Sequence, residues 1–120
     1  MHDPLSPHTP HLVRATAAKY MPRAATQGDA ALAWATTEEH STRLLSGFAV
    51  WDRADAEPKT LNYEEIILVL EGSFGIQLTD GQRLVAGPGD VLHIPEGTTV
   101  KYEGVKAKLF FAITPPKQSL

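Results

Sequence analysis

From residue 41 onward the sequence alternates between short apolar segments and turn-forming residues. Segments such as RLLSGFAVW and EEIILVLEG are rich in Val, Ile, Leu and aromatic residues. Turn signals such as Glu71-Gly72, Asp80-Gly81, Gly87-Pro88-Gly89 and Glu103-Gly104 close them. Short strands separated by turns about every 8–12 residues predict an antiparallel β-sandwich or barrel. No segment after residue 40 has a sustained helical period, so we expect an all-β fold. Asp80-Gly81 predicts a two-residue hairpin turn that needs positive φ.

The first forty residues have a weaker pattern. Residues 1–10 contain three prolines and two histidines, which is typical of a flexible leader. Residues 12–21 (LVRATAAKYM) could form a short helix or an edge strand, and ALAWAT predicts a short strand anchored by Trp34. We therefore expect a leader (1–10), an N-terminal arm or edge elements (11–40), a β-barrel (41–116) and a tail (117–120).

Composition limits the possible partners. The 120 residues carry a net charge of −3, so nothing indicates nucleic acid or an anionic membrane as a partner. The chain has no cysteine, which excludes disulfides and thiolate metal sites. Its longest apolar run is five residues, too short to span a membrane, and its start has no basic segment leading into an apolar one. We expect a soluble cytoplasmic protein of one domain.

Two segments lack the alternation of a strand that is buried on one side only. IILVL (66–70) and LFFAI (109–113) are apolar on both faces. One face can line the barrel interior, and the other needs a cover. Either residues 12–36 cover it, or two copies pack back to back. We expect a homodimer, because an uncovered face would expose a sizeable apolar patch.

Residues 63–102 (YEEIILVLEGSFGIQLTDGQRLVAGPGDVLHIPEGTTVKY) resemble a cupin, a small double-sheet β-barrel of the jelly-roll kind. The first cupin motif ends in Glu, six residues and Gly, which Glu65 and Gly72 match. The second begins with Gly, five residues, Pro, one residue and Gly, which Gly89, Pro95 and Gly97 match. The resemblance covers residues 45–114 and implies a double-stranded β-helix with an N-terminal arm in front of it.

Within the cupins, the chain is most similar to the ethanolamine-utilisation protein EutQ and its relatives. The likeness rests on GFAVW followed by TLNYEEIILVLEG, and on GDVLHIPEGTTVKYEG followed by AKLFFAITPP. This resemblance implies a role in small-molecule metabolism, and an acetate kinase activity is ascribed to members of the family.

The sequence departs from the metal-binding cupin motif. That motif has histidines six and four residues before the glutamate, where this chain has Lys59 and Leu61. The third histidine and the asparagine of the motif correspond to Val100 and Gly104. Aliphatic side chains cannot bind a metal, and a protonated lysine repels one, so only Glu65 is left as a ligand. We expect no cofactor, and at most weak divalent metal binding.

Strand periodicity gives a set of candidate site residues. If Glu65 faces the barrel interior, then Tyr63 and Lys59 face it too, and Glu64 faces outward. On the opposite sheet, Tyr102 shares the face of Val100. The candidate catalytic residues are Glu65, Tyr63 and His93, and the candidate ligand-binding residues are Lys59, Tyr102 and Trp51.

Each candidate has a functional and a structural interpretation. Glu65 is either a general acid or base or a ligand acceptor, or it is a structural partner of Lys59 or of a tyrosine hydroxyl. Lys59 either anchors an anionic substrate or lies in solvent at the barrel rim. His93 is either a proton shuttle or replacement ligand, or a hydrogen-bonded core or interface histidine. The tyrosines and Trp51 either contact a ligand or form part of the wall.

Two classes of function remain open. The first is a EutQ-like cupin that binds or transforms a small polar or anionic metabolite around Glu65. The second is a non-catalytic, metal-independent cupin that holds a ligand or acts as a scaffold.

Overall fold

A computed structural model describes residues 9–118, so the expectations for residues 1–8 and 119–120 lie outside the described residues. In the N-terminal region, a 3-10 turn (Ala15–Ala17) precedes strand β1 (Met21–Pro22) and strand β2 (Thr26–Thr36). Residues 12–21 therefore form neither one continuous helix nor one continuous strand. Strand β2 contains the predicted ALAWAT strand and continues it toward the N-terminus.

The rest of the described chain is a closed arrangement of antiparallel strands, as the all-β prediction requires. The strands are β3 (Leu45–Ala56), β4 (Lys59–Thr60), β5 (Glu65–Leu78), β6 (Arg83–Ala86), β7 (Val91–Ile94) and β8 (Thr99–Ile113). Their order is β1-β2-β3-β8-β5-β6, with β4 on β8 and β7 on β5. The cupin jelly-roll prediction is confirmed. No helix among residues 9–118 has the length and apolar character needed to cross a membrane.

The long strands differ from the predicted segments of four to nine residues. Strands β3, β5 and β8 have 12, 14 and 15 residues, and Glu71-Gly72 lies inside β5 and does not end it. The pairing of β5 with β8 shifts on both sides of Glu71. Gly72 has φ +70°, and a Cβ at Gly72 would lie 2.1 Å from the carbonyl oxygen of Lys106. The glycine therefore marks a bulge at which a continuous strand bends.

The hairpin after β5 is confirmed, but its predicted turn length is wrong. Gly81 has φ +90°, whereas Asp80 is not among the residues with positive φ. Leu78 N donates to Gln82 O at 2.8 Å, and Gly81 N donates to Leu78 O at 3.0 Å. These bonds close a three-residue loop whose last residue is left-handed, a common alternative to the two-residue turn.

The apolar segments IILVL and LFFAI do have two apolar faces. Ile67 and Val69 are 1% and 0% exposed and point into the barrel, whereas Ile66 points outward and is 50% exposed. On the same outer surface, Phe48 and Phe110 pack edge to face at 5.9 Å. Strand β2 extends the sheet beside β3 and leaves Ile66 uncovered, so cover by residues 12–36 is not the explanation for this residue.

Candidate functional site

The barrel interior contains a pocket of about 200 Å³ that is polar at one end and apolar at the other. Glu65 lies in the pocket and is 7% exposed, and it is the only charged residue in the buried part of the described chain. Five of the six predicted site residues line the pocket. They are Lys59, Tyr63, Glu65, Trp51 and Tyr102.

Strand pairing explains why Glu65 points inward. Glu65 begins β5, where it pairs with Ile94 of β7 and Ile113 of β8, both of which are buried. Paired residues of neighbouring strands share a face of the sheet, so the carboxyl group has the same orientation as these core side chains. Tyr63 is 8% exposed, whereas Glu64 between them is exposed. The period-two prediction is therefore confirmed at these positions.

The side chains at the polar end of the pocket are joined by hydrogen bonds. The Tyr102 hydroxyl donates to Oε1 of Glu65 at 2.5 Å, in a buried environment. Lys59 Nζ donates to the Tyr63 hydroxyl at 2.9 Å. The Tyr63 hydroxyl also interacts with the hydroxyl of Tyr102. The four groups thus form one connected cluster, in which Glu65 is satisfied although it is buried.

Burial dominates the acid–base properties of the cluster. It raises the pKa of Glu65 above the usual value of 4.5, while the Tyr102 hydrogen bond and the charges of Lys59 and Arg23 partly oppose this effect. Burial and the neighbouring carboxyl of Glu65 also raise the pKa of Tyr102, so its hydroxyl remains a donor. A carboxyl group whose pKa is raised keeps its proton to a higher pH than an exposed one, which is a property of carboxyl groups that act as general acids.

Aromatic side chains form the base and the mouth of the pocket. Trp51 and Phe74 meet edge to face at 5.6 Å, and Phe74 stacks on Tyr102 at 5.8 Å. At the other end, Trp34 meets Phe111 edge to face at 5.4 Å. Trp34 is 50% exposed, so it lies at the mouth of the pocket.

Arg23 is a pocket residue that the sequence reasoning missed. Its guanidinium carbon lies 5.4 Å from the ring centroids of both Trp51 and Tyr102, and its charge acts on Glu65. Arg23 reaches the pocket because Met21 and Pro22 pair with Leu32 and Ala31 at the sheet edge. Nothing local in the sequence indicates this two-residue pairing, because both β1 residues are exposed and show no alternation.

His93 does not lie in the pocket. In β7, Leu92 and Ile94 are 8% and 1% exposed and face the core, so His93 between them points outward. Its Nε2 lies 2.6 Å from Oε2 of Glu64, and both side chains are about half exposed. The sequence grouped His93 with the interior residues. The structure corrects this placement and puts His93 on the outer face, within hydrogen-bond distance of Glu64.

The groups around Glu65 do not fit the divalent metal that many cupins hold. No three His, Cys, Asp or Glu side chains of residues 9–118 are clustered as a metal site would require. Leu61 and Val100 occupy two of the motif's ligand positions and are 1% and 0% exposed. The polar neighbours of Glu65 are two cations and two phenols, and the cations repel a metal ion.

The family model described as ethanolamine utilisation protein EutQ matches residues 19–118. A protein named acetate kinase EutQ from Salmonella typhimurium is 39% identical over 66 residues, which are 55% of this chain and 28% of that relative. The chain therefore spans less than a third of the length of that relative.

Solved structures agree with the family match. A crystal structure described as ethanolamine utilization protein Q from Salmonella typhimurium superimposes with a TM-score of 0.77 at 28% identity, covering 89% of this chain and 86% of that one. An RmlC-like cupin from Shewanella frigidimarina has a TM-score of 0.71 at 14% identity and covers 92% and 95% of the two chains, which shows the fold alone. The chain therefore belongs to the EutQ family and has the cupin jelly-roll fold.

Proposed function

We propose that this EutQ-family cupin binds and transforms a small anionic metabolite in the barrel pocket, with Glu65 as general acid or base and without a bound metal ion. One observation carries the proposal. The buried carboxyl of Glu65 accepts the Tyr102 hydroxyl at 2.5 Å while two cations, Lys59 and Arg23, act on it. A burial this costly is typical of a functional group whose pKa must be adjusted.

The cluster suits proton transfer to or from a bound ligand. Oε1 of Glu65 is occupied by Tyr102, whereas Oε2 has no hydrogen-bond partner among the residues that the structure describes. Oε2 would then take a proton from the ligand or return it, while Tyr102 orients the carboxyl group. Tyr63, held by Lys59 at 2.9 Å, would provide a hydroxyl contact to the ligand.

The same residues support catalysis without a metal ion. In many cupins a cation polarises the substrate, and here Lys59 and Arg23 would provide the positive charge directly. Their guanidinium and ammonium groups bind carboxylates and phosphates well. A divalent ion would have to displace or neutralise them to reach Glu65.

Acetate kinase activity, after which the Salmonella relative is named, is the less supported assignment for this chain. Phosphoryl transfer normally needs Mg²⁺ held by several oxygen ligands, together with groups that neutralise the phosphates. The pocket provides two cations, and Glu65 is its single carboxylate among the described lining residues.

The alternative is a metal-independent cupin that binds or presents a ligand without changing it. It is favoured by the hydrogen bonds that already satisfy Tyr102 and Tyr63, because hydrogen-bonded tyrosines can also have a purely structural role. The two functions differ in one respect. An enzyme needs the ionisable carboxyl of Glu65, whereas a binding protein needs only a polar group of that shape.

Screening wild-type protein and Glu65→Gln against mixtures of small carboxylic acids and phosphate esters tests the proposal. Ligand-observed NMR detects binding, product NMR detects turnover, and elemental analysis gives the metal content. We expect binding by both proteins, turnover only by the wild type, and no dependence of either on a chelator. Binding without turnover by the wild type would favour the alternative. Stoichiometric metal whose removal abolishes binding would overturn the proposal.

A further inference from the structure

The polar end of the pocket has more positive than negative charge. Arg23, Lys59 and Glu65 all line the pocket, and a single carboxyl group can balance at most one of the two cations. Surface cations such as Lys101 and Lys117 have carboxylate partners at 3.1 and 3.2 Å. Among the described residues, Arg23 and Lys59 have no comparable ion pair. An anion in the pocket would correct this imbalance.

Arg23 is held in a fixed position that leaves part of its guanidinium group available. Nη1 donates to Thr26 Oγ1 at 2.6 Å and to the carbonyl of Ala24 at 3.3 Å. The rings of Trp51 and Tyr102 flank the guanidinium carbon at 5.4 Å each. Both hydrogen bonds use the same nitrogen, so the remaining nitrogens can form the paired bonds that carboxylates accept. Such fixation reduces the entropy that binding an anion costs.

The opposite wall of the pocket is apolar and extends well beyond the charged end. It contains Leu32, Trp34, Leu109, Phe111, Ile113 and Pro116. Trp34 and Pro116 also line a surface groove next to the pocket, so the apolar wall continues to the pocket mouth. A two-carbon anion would leave this wall without contacts, whereas a ring or a short chain would bury it.

We propose that the pocket binds a monocarboxylate with an apolar body about the size of an aromatic ring, its carboxylate between Arg23 and Lys59 and its body on Trp34 and Phe111. This inference rests on the proposed function and narrows its ligand class. It also makes Arg23 a specificity-determining binding residue. A monoanion suits the site with Glu65 ionised, because it brings the two cations and the carboxylate to neutrality, whereas a doubly charged phosphate ester would leave excess negative charge beside Glu65.

Calorimetric titration of the full chain with benzoate tests this inference. Benzamide has the same shape without the charge, acetate has the charge without the ring, and phenyl phosphate has the ring with a larger charge. We expect benzoate to bind about tenfold more tightly than each of the other three, a difference of about 1.4 kcal/mol. Equal affinity for benzamide, acetate or phenyl phosphate would overturn the inference.

Variants separate the two ends of the pocket. Arg23→Gln should weaken benzoate binding about tenfold and leave benzamide unchanged, because a charged hydrogen bond is lost. Trp34→Ala should weaken benzoate and leave acetate unchanged. Arg83→Gln is the matched control, since Arg83 pairs with Glu103 at 3.0 Å on the surface, and it should bind like the wild type. Lys59→Met repeats the charge test if Arg23→Gln fails to fold.

The outcomes distinguish this inference from the proposed function. If benzoate binding does not depend on Arg23 or on Lys59, the inference is wrong even where other anions bind and react through Glu65. If benzoate binding depends on Arg23 but the wild type transforms no acid, the proposed ligand class is supported and the proposed catalysis by Glu65 is wrong.

Discussion

At the scale of single residues, the most unusual feature is a glutamate in the barrel core, where apolar side chains are normally found. Glu65 is buried among Tyr102, Tyr63 and the two cations, and burial raises its pKa. A raised pKa means that the folded protein binds the Glu65 proton more tightly than the unfolded chain does. The stability that Glu65 contributes is therefore complete below about pH 4.5 and is lost as the pH rises through the folded pKa.

Glu65→Gln should remove this pH dependence. The amide has nearly the same shape and never ionises, so the variant should gain stability relative to the wild type as the pH rises above 4.5. The gain should be at most about 1.4 kcal/mol per unit of pKa shift and level off above the folded pKa. Urea unfolding from pH 4 to pH 8 measures it, with exposed Glu38→Gln as the control. Parallel pH profiles for Glu65→Gln and wild type would contradict the raised pKa.

Tyr102→Phe should raise the pKa of Glu65 further. The Tyr102 hydroxyl favours the ionised carboxylate, and its hydrogen bond is one of the effects that lower the pKa. Losing a buried donor should also cost about 1–3 kcal/mol of unfolding free energy. A ¹³C NMR titration of the Glu65 carboxyl measures the first effect and urea unfolding the second. Tyr63→Phe, which loses a bond to Lys59 instead, should shift the Glu65 titration less, and equal shifts would show that Tyr102 has no special role.

The sequence alone predicted most of the residues that form this site. The alternation around Glu65 placed Tyr63 and Lys59 on its face, because a strand with one buried polar residue fixes the orientation of its neighbours. His93 was misplaced, because the register of β7 on β5, which pairs His93 with the outward-facing Ile66, is not encoded locally. Arg23 was missed for a related reason, since a two-residue strand at a sheet edge has too little pattern to reveal its partner.

At the scale of elements, glycines proved to mark bends inside strands. The sequence interpreted Glu71-Gly72 and Glu103-Gly104 as turns between short strands. In the structure, β5 and β8 continue through these positions. Turns and bulges need the same backbone freedom, so composition alone cannot distinguish them. Asp80-Gly81 did mark a hairpin, since there the chain reverses after a three-residue loop closed by Gly81.

Two glycines with positive φ should respond differently to alanine. At Gly72 (φ +70°) a Cβ would lie 2.1 Å from Lys106 O, whereas at Gly81 (φ +90°) it would meet nothing within 4 Å. Gly81→Ala should therefore cost only the backbone strain, about 1 kcal/mol, and Gly72→Ala about 3 kcal/mol because packing strain adds to it. Urea denaturation of both variants measures the difference. Equal losses would show that the bulge at Gly72 is not tightly constrained.

At the scale of the whole molecule, the outer face of the barrel remains apolar. Leu68 pairs with Phe110 of β8 and Val91 of β7, and Phe110 pairs with Phe48 of β3. This row crosses four strands, and Val91 is 59% exposed. We propose that two copies of the chain pack through this face, because an apolar row of this extent on a small barrel is typical of an interface.

Leu68→Lys should disrupt such a dimer by placing a charge in the middle of the row. We expect the wild type to sediment at twice the 13.0 kDa chain mass and the variant at that mass, in analytical ultracentrifugation at micromolar concentration. Val85→Lys is the control, since Val85 is 65% exposed on β6, away from the row. A wild type that sediments as a single chain would rule out the dimer.

The family and the jelly-roll followed from motif spacing, because Glu65 begins β5, Gly72 forms the bulge inside it, and Gly89, Pro95 and Gly97 lie in the turns on either side of β7. The class of ligand could not be predicted from the motif spacing, since an N-terminal strand outside both motifs completes the pocket. Charge in the pocket is therefore a property of the folded molecule, to which residues 23, 59 and 65 contribute from different strands or strand ends.

The most direct test of a metal-independent site at Glu65 is a ¹³C NMR titration of its carboxyl group in chelator-treated protein, repeated with one equivalent of Mn²⁺. Titration above the ordinary value of 4.5, with a signal that Mn²⁺ leaves sharp, is the predicted result. A carboxyl group that titrates at or below that value, or a signal that one equivalent of Mn²⁺ broadens beyond detection, would contradict it.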